Sequence, residues 1–149
     1  MTSSFPSLPI SCQEITALAF SLRSIDQKLL ATAKAAVNRV WYQGGEPYFD
    51  LFIELEGEEI SWFQFTLRGR SISWHYYRDG WRTGSTNEGD TPHLHLQPAS
   101  KLVQLDPQLD QEFIELVRAI VQVRQEEPIF AQIAKMLREI PLENSGLEN

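Results

Sequence analysis

In "DLFIELE" apolar Leu51, Ile53 and Leu55 alternate with Asp50, Phe52 and Glu54, the period-two pattern of a strand with two unlike faces. With Tyr48 and Phe49 ahead of it the stretch predicts one strand, and "ISWFQFTLR" predicts a second carrying Phe63, Phe65 and Leu67 on one side. "SISWHYY" sets Ile72, Trp74 and Tyr76 against Ser73, His75 and Tyr77, so Trp74 and Tyr76 are expected in the core. Upstream, residues 37–43 read as a first strand with Val40 and Tyr42 inward, closed by the turn signal "GGEP".

Turn chemistry sets the expected register. A three-residue turn at Gly57, Glu58 and Glu59 pairs Ile53 with Phe63, Leu51 with Phe65 and Phe49 with Leu67. A two-residue type II′ turn at Gly69 and Arg70 pairs Leu67 with Ile72, Phe65 with Trp74 and Phe63 with Tyr76. Both turns select the same apolar face, and a slip by one residue would turn every side chain over. Asp79 and Gly80 predict another hairpin into a short strand from Trp81, residues 84–92 a loop, and "HLHLQ" a short edge strand.

The flanks carry a different period. Ile15, Leu18, Leu22, Ile25, Leu29 and Ala33 recur at three- and four-residue steps and predict a helix over 11–36, opened by the capping pair Ser11 and Glu14. Asp106 before Pro107 predicts the N-cap of a second helix, with Leu109, Phe113, Leu116, Ile120 and Val123 on one stripe. Pro128 opens a third, with Ile129, Ile133, Met136 or Leu137, and Ile140. The fold class is therefore α+β: an N-terminal helix, an antiparallel meander of four to six strands, and two C-terminal helices packed on the sheet. We expect a single domain over 1–149, with a loose arm at 1–10 and a frayed tail at 141–149.

Length and composition sharpen this. A chain of 149 residues with 42% hydrophobic and 22% charged positions can bury roughly 70% of its unfolded surface and needs no disulfide framework. The lone cysteine, Cys12, suits a reducing compartment, and with no basic n-region or long apolar run we expect a cytoplasmic protein without signal peptide or membrane span. The formal net charge of −7 opposes nucleic-acid binding, which phosphate neutralisation drives. Charge is uneven, −6 over residues 41–59 and +3 over 60–86, which leaves room for a small anionic ligand.

Candidate chemistry then follows from the polar side of the sheet. The expected register groups Tyr48 with Arg68, Asp50 with Thr66 and Ser73, Phe52 with Gln64 and His75, and Glu54 with Trp62 and Tyr77, flanked by Arg39 and Trp41. Rings beside a few convergent polar groups make a binding surface, since rings give rigid area and polar groups fix orientation. The competing reading is an ordinary outer face of cross-strand aromatic and charge pairs. We take Trp41, Asp50, Phe52, Glu54, Trp62, Gln64, Arg68, His75 and Tyr77 as the candidate ligand- or partner-binding residues.

Two enzyme-like constellations compete. His93 and His95 would project to one side of a strand, with Glu88, Asp90 and His75 in reserve, but an H-x-H pair without a fixed third ligand is a common chance pattern. Ser73 and His75, two positions apart on a strand, stand too far apart for the hydrogen bond that activates a serine. The function expected is a non-enzymatic binding or accessory protein, chaperone-like in shape, engaging a protein partner or itself as a dimer, with a small molecule as a lesser option and no cofactor or metal. The alternative is a metal-dependent or His-centred small-molecule enzyme at His75, His93 and His95.

Overall fold

Strands that follow one another in sequence pair side by side, so the sheet keeps the order of the chain. Seven antiparallel strands run β1 (Arg23–Ser24), β2 (Val37–Gln43), β3 (Asp50–Glu56), β4 (Glu59–Leu67), β5 (Arg70–His75), β6 (Gly80–Thr86) and β7 (Leu102–Leu105), each beside its sequence neighbours. Helix α1 (Cys12–Ser21) precedes them; α2 (Gln111–Val123) and α3 (Pro128–Arg138) follow. The structure is a computed structural model that describes residues 10–25, 37–77, 80–86 and 102–140. The architecture is α+β as expected, with more strands than the four to six foreseen. The chain forms two compact units, the sheet within 21–110 and the helices within 1–20 and 111–149.

Within the sheet, Leu51 pairs with Phe65 and Ile53 with Phe63, as the period-two pattern requires. The turn that produces this register differs from expectation. It holds only Gly57 and Glu58, pairing Glu56 with Glu59 and Leu55 with Ile60, and a bulge that leaves Ser61 unpaired restores the register at Glu54 and Trp62. Gly57 carries the positive φ of 67° that this tight reversal needs. A bulge absorbs one residue and changes which side chains face each way, so a shorter turn and an extra residue cancel.

The β4–β5 turn also moves. It lies at Arg68 and Gly69, both with positive φ (53° and 85°), the two-positive-φ geometry of type I′ in place of type II′. Phe65 therefore faces Ile72, and Phe63 faces Trp74, two residues from the expected partners. A shift of two preserves the face of every side chain, so Trp74 stays on the phenylalanine side. Tyr76 does not join it: β5 ends at His75, and Tyr76 is 66% exposed.

Three further expectations change. The first helix stops at Ser21, and Arg23 and Ser24 pair with Gln43 and Tyr42, while Ile25 N–H donates to the Trp41 carbonyl (2.8 Å). Pairing with the edge of β2 thus overrides the helical period, whose continuation at 26–36 lies outside the described residues. Residues 84–86, expected in a loop, continue β6 and pair with β7, a strand the pattern did not announce. Asp106 caps no helix, because α2 starts at Gln111 and Asp106 is bound by other side chains. The "HLHLQ" strand and the frayed tail lie outside the described residues.

In the helical unit, Glu14 N–H donates to the Ser11 hydroxyl (3.1 Å), the forward half of the expected capping box. Phe113, Leu116, Val117, Ile120 and Val121 of α2 are buried, as are Phe130, Ile133, Ala134 and Leu137 of α3, and the two helices pack on one another. Arg124, between them, donates to the Ala19 carbonyl (2.8 Å) and to Glu127, and lies over the Phe130 ring at 4.6 Å.

Candidate functional site

The register sorts the polar face into rows. Arg39, Glu54, Trp62 and His75 form one; Trp41, Phe52, Gln64, Ser73 and Arg82 the next; Gln43, Asp50, Thr66, Ser71 and Gly84 the third. His75 thus stands beside Trp62, where the expected register had placed it beside Gln64, and Ser71 takes the place expected for Ser73 beside Thr66. The middle of this face is shielded: Phe52 and Gln64 are each 8% exposed, and Thr66 and Ser71 are buried with their hydroxyls 3.4 Å apart. Those side chains are placed to hold the sheet together.

Towards β2 the face becomes an ordered aromatic and acidic patch. Trp41 stacks on Phe52 (5.3 Å between centroids, 17° between planes) and its indole N–H donates to Asp50 Oδ1 at 3.0 Å. Burial pushes the Asp50 carboxyl above the usual range, and the Trp41 hydrogen bond only partly opposes it. Arg39 pairs with Glu54 (2.9 Å), and Arg68 grips Glu46 through Nε and Nη2 (3.0 and 2.9 Å) in the planar fork suited to a carboxylate. Arg68 therefore serves the neighbouring turn.

On the opposite face, Arg70 of β5 donates to Asp106 and Asp110, while the Thr83 hydroxyl donates to Asp106 (2.6 Å) and accepts from Asp110 N–H (3.0 Å). Burial disfavours the Asp106 anion, yet the hydrogen bonds from Thr83 and Arg70 together with the Arg70 charge outweigh it, and its pKa falls below the usual range. This cluster ties the segment after β7 to the sheet. Its acids are far apart in sequence from Arg70, so no short motif announces it.

Two exposed rings stand at the sheet end where the β3–β4 and β5–β6 turns lie, while a third, Phe20, is exposed on the helical unit. Tyr76 and Tyr77 are 66% and 63% exposed, with rings 4.9 Å apart at 85°. The Tyr77 hydroxyl donates to Glu56 at 2.8 Å, and that bond, the largest of its causes, raises the phenol pKa. Tyr77 N–H donates to His75 Nδ1 (3.2 Å), which ties the His75 ring to the backbone of the turn. Behind them Trp74 meets Tyr76 (6.2 Å) and Trp81 (6.3 Å), and Trp81 meets Phe63 edge-on at 5.7 Å. A chain of rings thus runs from the buried Phe63 to the rim.

Of the candidates read from sequence, Glu54, Trp62, His75 and Tyr77 lie towards this rim, Trp41, Asp50 and Phe52 form the patch by β2, Gln64 is buried between, and Arg68 is in a turn. Tyr76 and Glu56 were missed. Counting the turn from Gly80 backwards, with a loop of four residues in place of two, would have put Tyr76 outside the strand. His93 and His95 lie outside the described residues, and among the described residues no group of three or more His, Cys, Asp or Glu is placed to hold a metal ion. None of the described helices is long and apolar enough to cross a membrane. No family model, curated protein or solved structure matches this chain.

Proposed function

We propose that this protein is a non-enzymatic binding or accessory protein that associates with a protein partner, or with a second copy of itself, through the aromatic rim. One observation carries the reading: two adjacent tyrosines stand more than 60% exposed while the remaining rings behind them are progressively enclosed. Large apolar groups left at the surface together are a feature of interaction sites, and tyrosine contributes rigid area with a polar tip. The setting we propose is cytoplasmic, in keeping with the single cysteine.

The test is association of the full chain, measured by sedimentation over a concentration series and by pull-down, for the wild type and for Tyr76→Ala/Tyr77→Ala. Association lost in the double variant at an unchanged melting temperature supports the reading. Association retained by the variant, a wild type that binds nothing, or a large fall in melting temperature overturns it.

A further inference from the structure

We infer that the rim takes a cationic side chain, arginine or lysine, presented on an exposed segment of a partner protein. This rests on the binding reading above and adds the chemistry of the partner. The ring planes of Tyr76 and Tyr77 stand at 85° with centroids 4.9 Å apart, so two aromatic walls meet at a corner. His75 lies edge-on to Tyr77 at 6.1 Å on the strand side. A ring face carries the negative part of the aromatic quadrupole and attracts an ammonium or guanidinium group, with no charge of its own to desolvate.

Charge complementarity points the same way. Glu56 accepts the Tyr77 hydroxyl at 2.8 Å, which both fixes the ring and sets a carboxylate at the corner. Residues 54–59 read "ELEGEE", four glutamates without a lysine or arginine, and Glu56, Glu58 and Glu59 are all exposed. Glu54 is matched by Arg39, but Glu56 is held by a neutral phenol, so its charge stays uncompensated by that bond. Arg78 and Asp79, which follow Tyr77 in sequence, cancel in formal charge. An acidic partner or a nucleic-acid phosphate would meet repulsion here, whereas a basic segment gains from both the rings and the carboxylates.

The experiment measures binding of short labelled peptides to the full chain by fluorescence anisotropy, with arginine, lysine, glutamate or serine at alternate positions. The arginine and lysine peptides are expected to bind and to weaken as salt is added. Tyr76→Ala/Tyr77→Ala should weaken them about fivefold or more, because neither ring face is then present to attract the cation. Glu56→Gln keeps an acceptor for the Tyr77 hydroxyl, removes the charge, and should weaken them about twofold to fourfold. Absence of basic-peptide binding, equal binding of the glutamate peptide, or indifference to both variants overturns the inference. If the wild type still associates through its tyrosines in the sedimentation and pull-down test while ignoring basic peptides, only the partner chemistry falls and the binding reading stands.

Discussion

The Phe49 ring lies where a side chain on Gly44 would begin, and a Cβ there would overlap the ring's Cγ, Cδ2 and Cε2. Gly44 N–H donates to the Phe49 carbonyl at 2.7 Å, so the loop closes on a fully buried ring. Gly44→Ala should therefore cost about 1–3 kcal/mol through overpacking. Adding Phe49→Ala makes room, and the penalty for alanine at position 44 should then nearly vanish in a double-mutant cycle followed by urea unfolding. Equal penalties in both backgrounds would contradict the packing described.

Arg70 holds two carboxylates at once, and its loss should leave Asp106 and Asp110 without their shared cation. Arg70→Met is expected to lower stability by about 2 kcal/mol, the scale of hydrogen bonds to charged groups. Because the folded pKa of Asp106 is lowered, its contribution is present above the unfolded carboxylate pKa and is lost as pH falls through the folded value. A melting series taken into acid should show that loss in the wild type and a flatter profile in the variant.

For Asp50 the sign is opposite. Burial raises its folded pKa, so its favourable contribution is complete below the unfolded pKa and disappears as pH rises through the folded one. Asp50→Asn keeps an acceptor for the Trp41 indole and removes the ionisation, so it should match or exceed wild-type stability at neutral pH and lose that advantage in acid. Trp41→Phe removes the donor instead, with an expected cost of about 1–3 kcal/mol at neutral pH. Chemical denaturation at two pH values distinguishes them.

Arg124 offers a test in the helical unit. It combines a bond to the Ala19 carbonyl, a paired interaction with Glu127 and a ring contact with Phe130, and only a planar fork serves all three. Arg124→Lys should recover less than half of the stability that Arg124→Ala removes, about 2–3 kcal/mol in all. Full recovery by lysine would show that charge alone suffices.

The strand faces were legible because period-two alternation survives errors of even length. The type I′ turn at Arg68 and Gly69 displaces the expected pairs by two residues and leaves Trp74 on its predicted side. The short turn at Gly57 would have inverted the face, but the bulge at Ser61 undoes it, and no residue type marks a bulge in advance. Tyr76 was misassigned because alternation continues in sequence past the last residue of β5, where the Tyr76 N–H still donates to the Ser61 carbonyl (2.9 Å) but the side chain no longer lies against the core. The Arg70 cluster was illegible for another reason: Asp106 before Pro107 satisfies a local helix-start rule, and only its bonds to residues of β5 and β6 show that its carboxylate is engaged elsewhere.

Strand β4 is buried on both sides from Phe63 to Leu67, whereas the tyrosine pair stands beyond the end of β5. Amide protons in that inner stretch should exchange with solvent only in rare openings of the whole sheet, while those around Tyr76 exchange through small local fluctuations. On the binding reading proposed above, capture and release at this edge would leave the backbone ladder closed, so a visitor's dwell time would be set by a few rings and carboxylates and not by how firmly the chain stays folded.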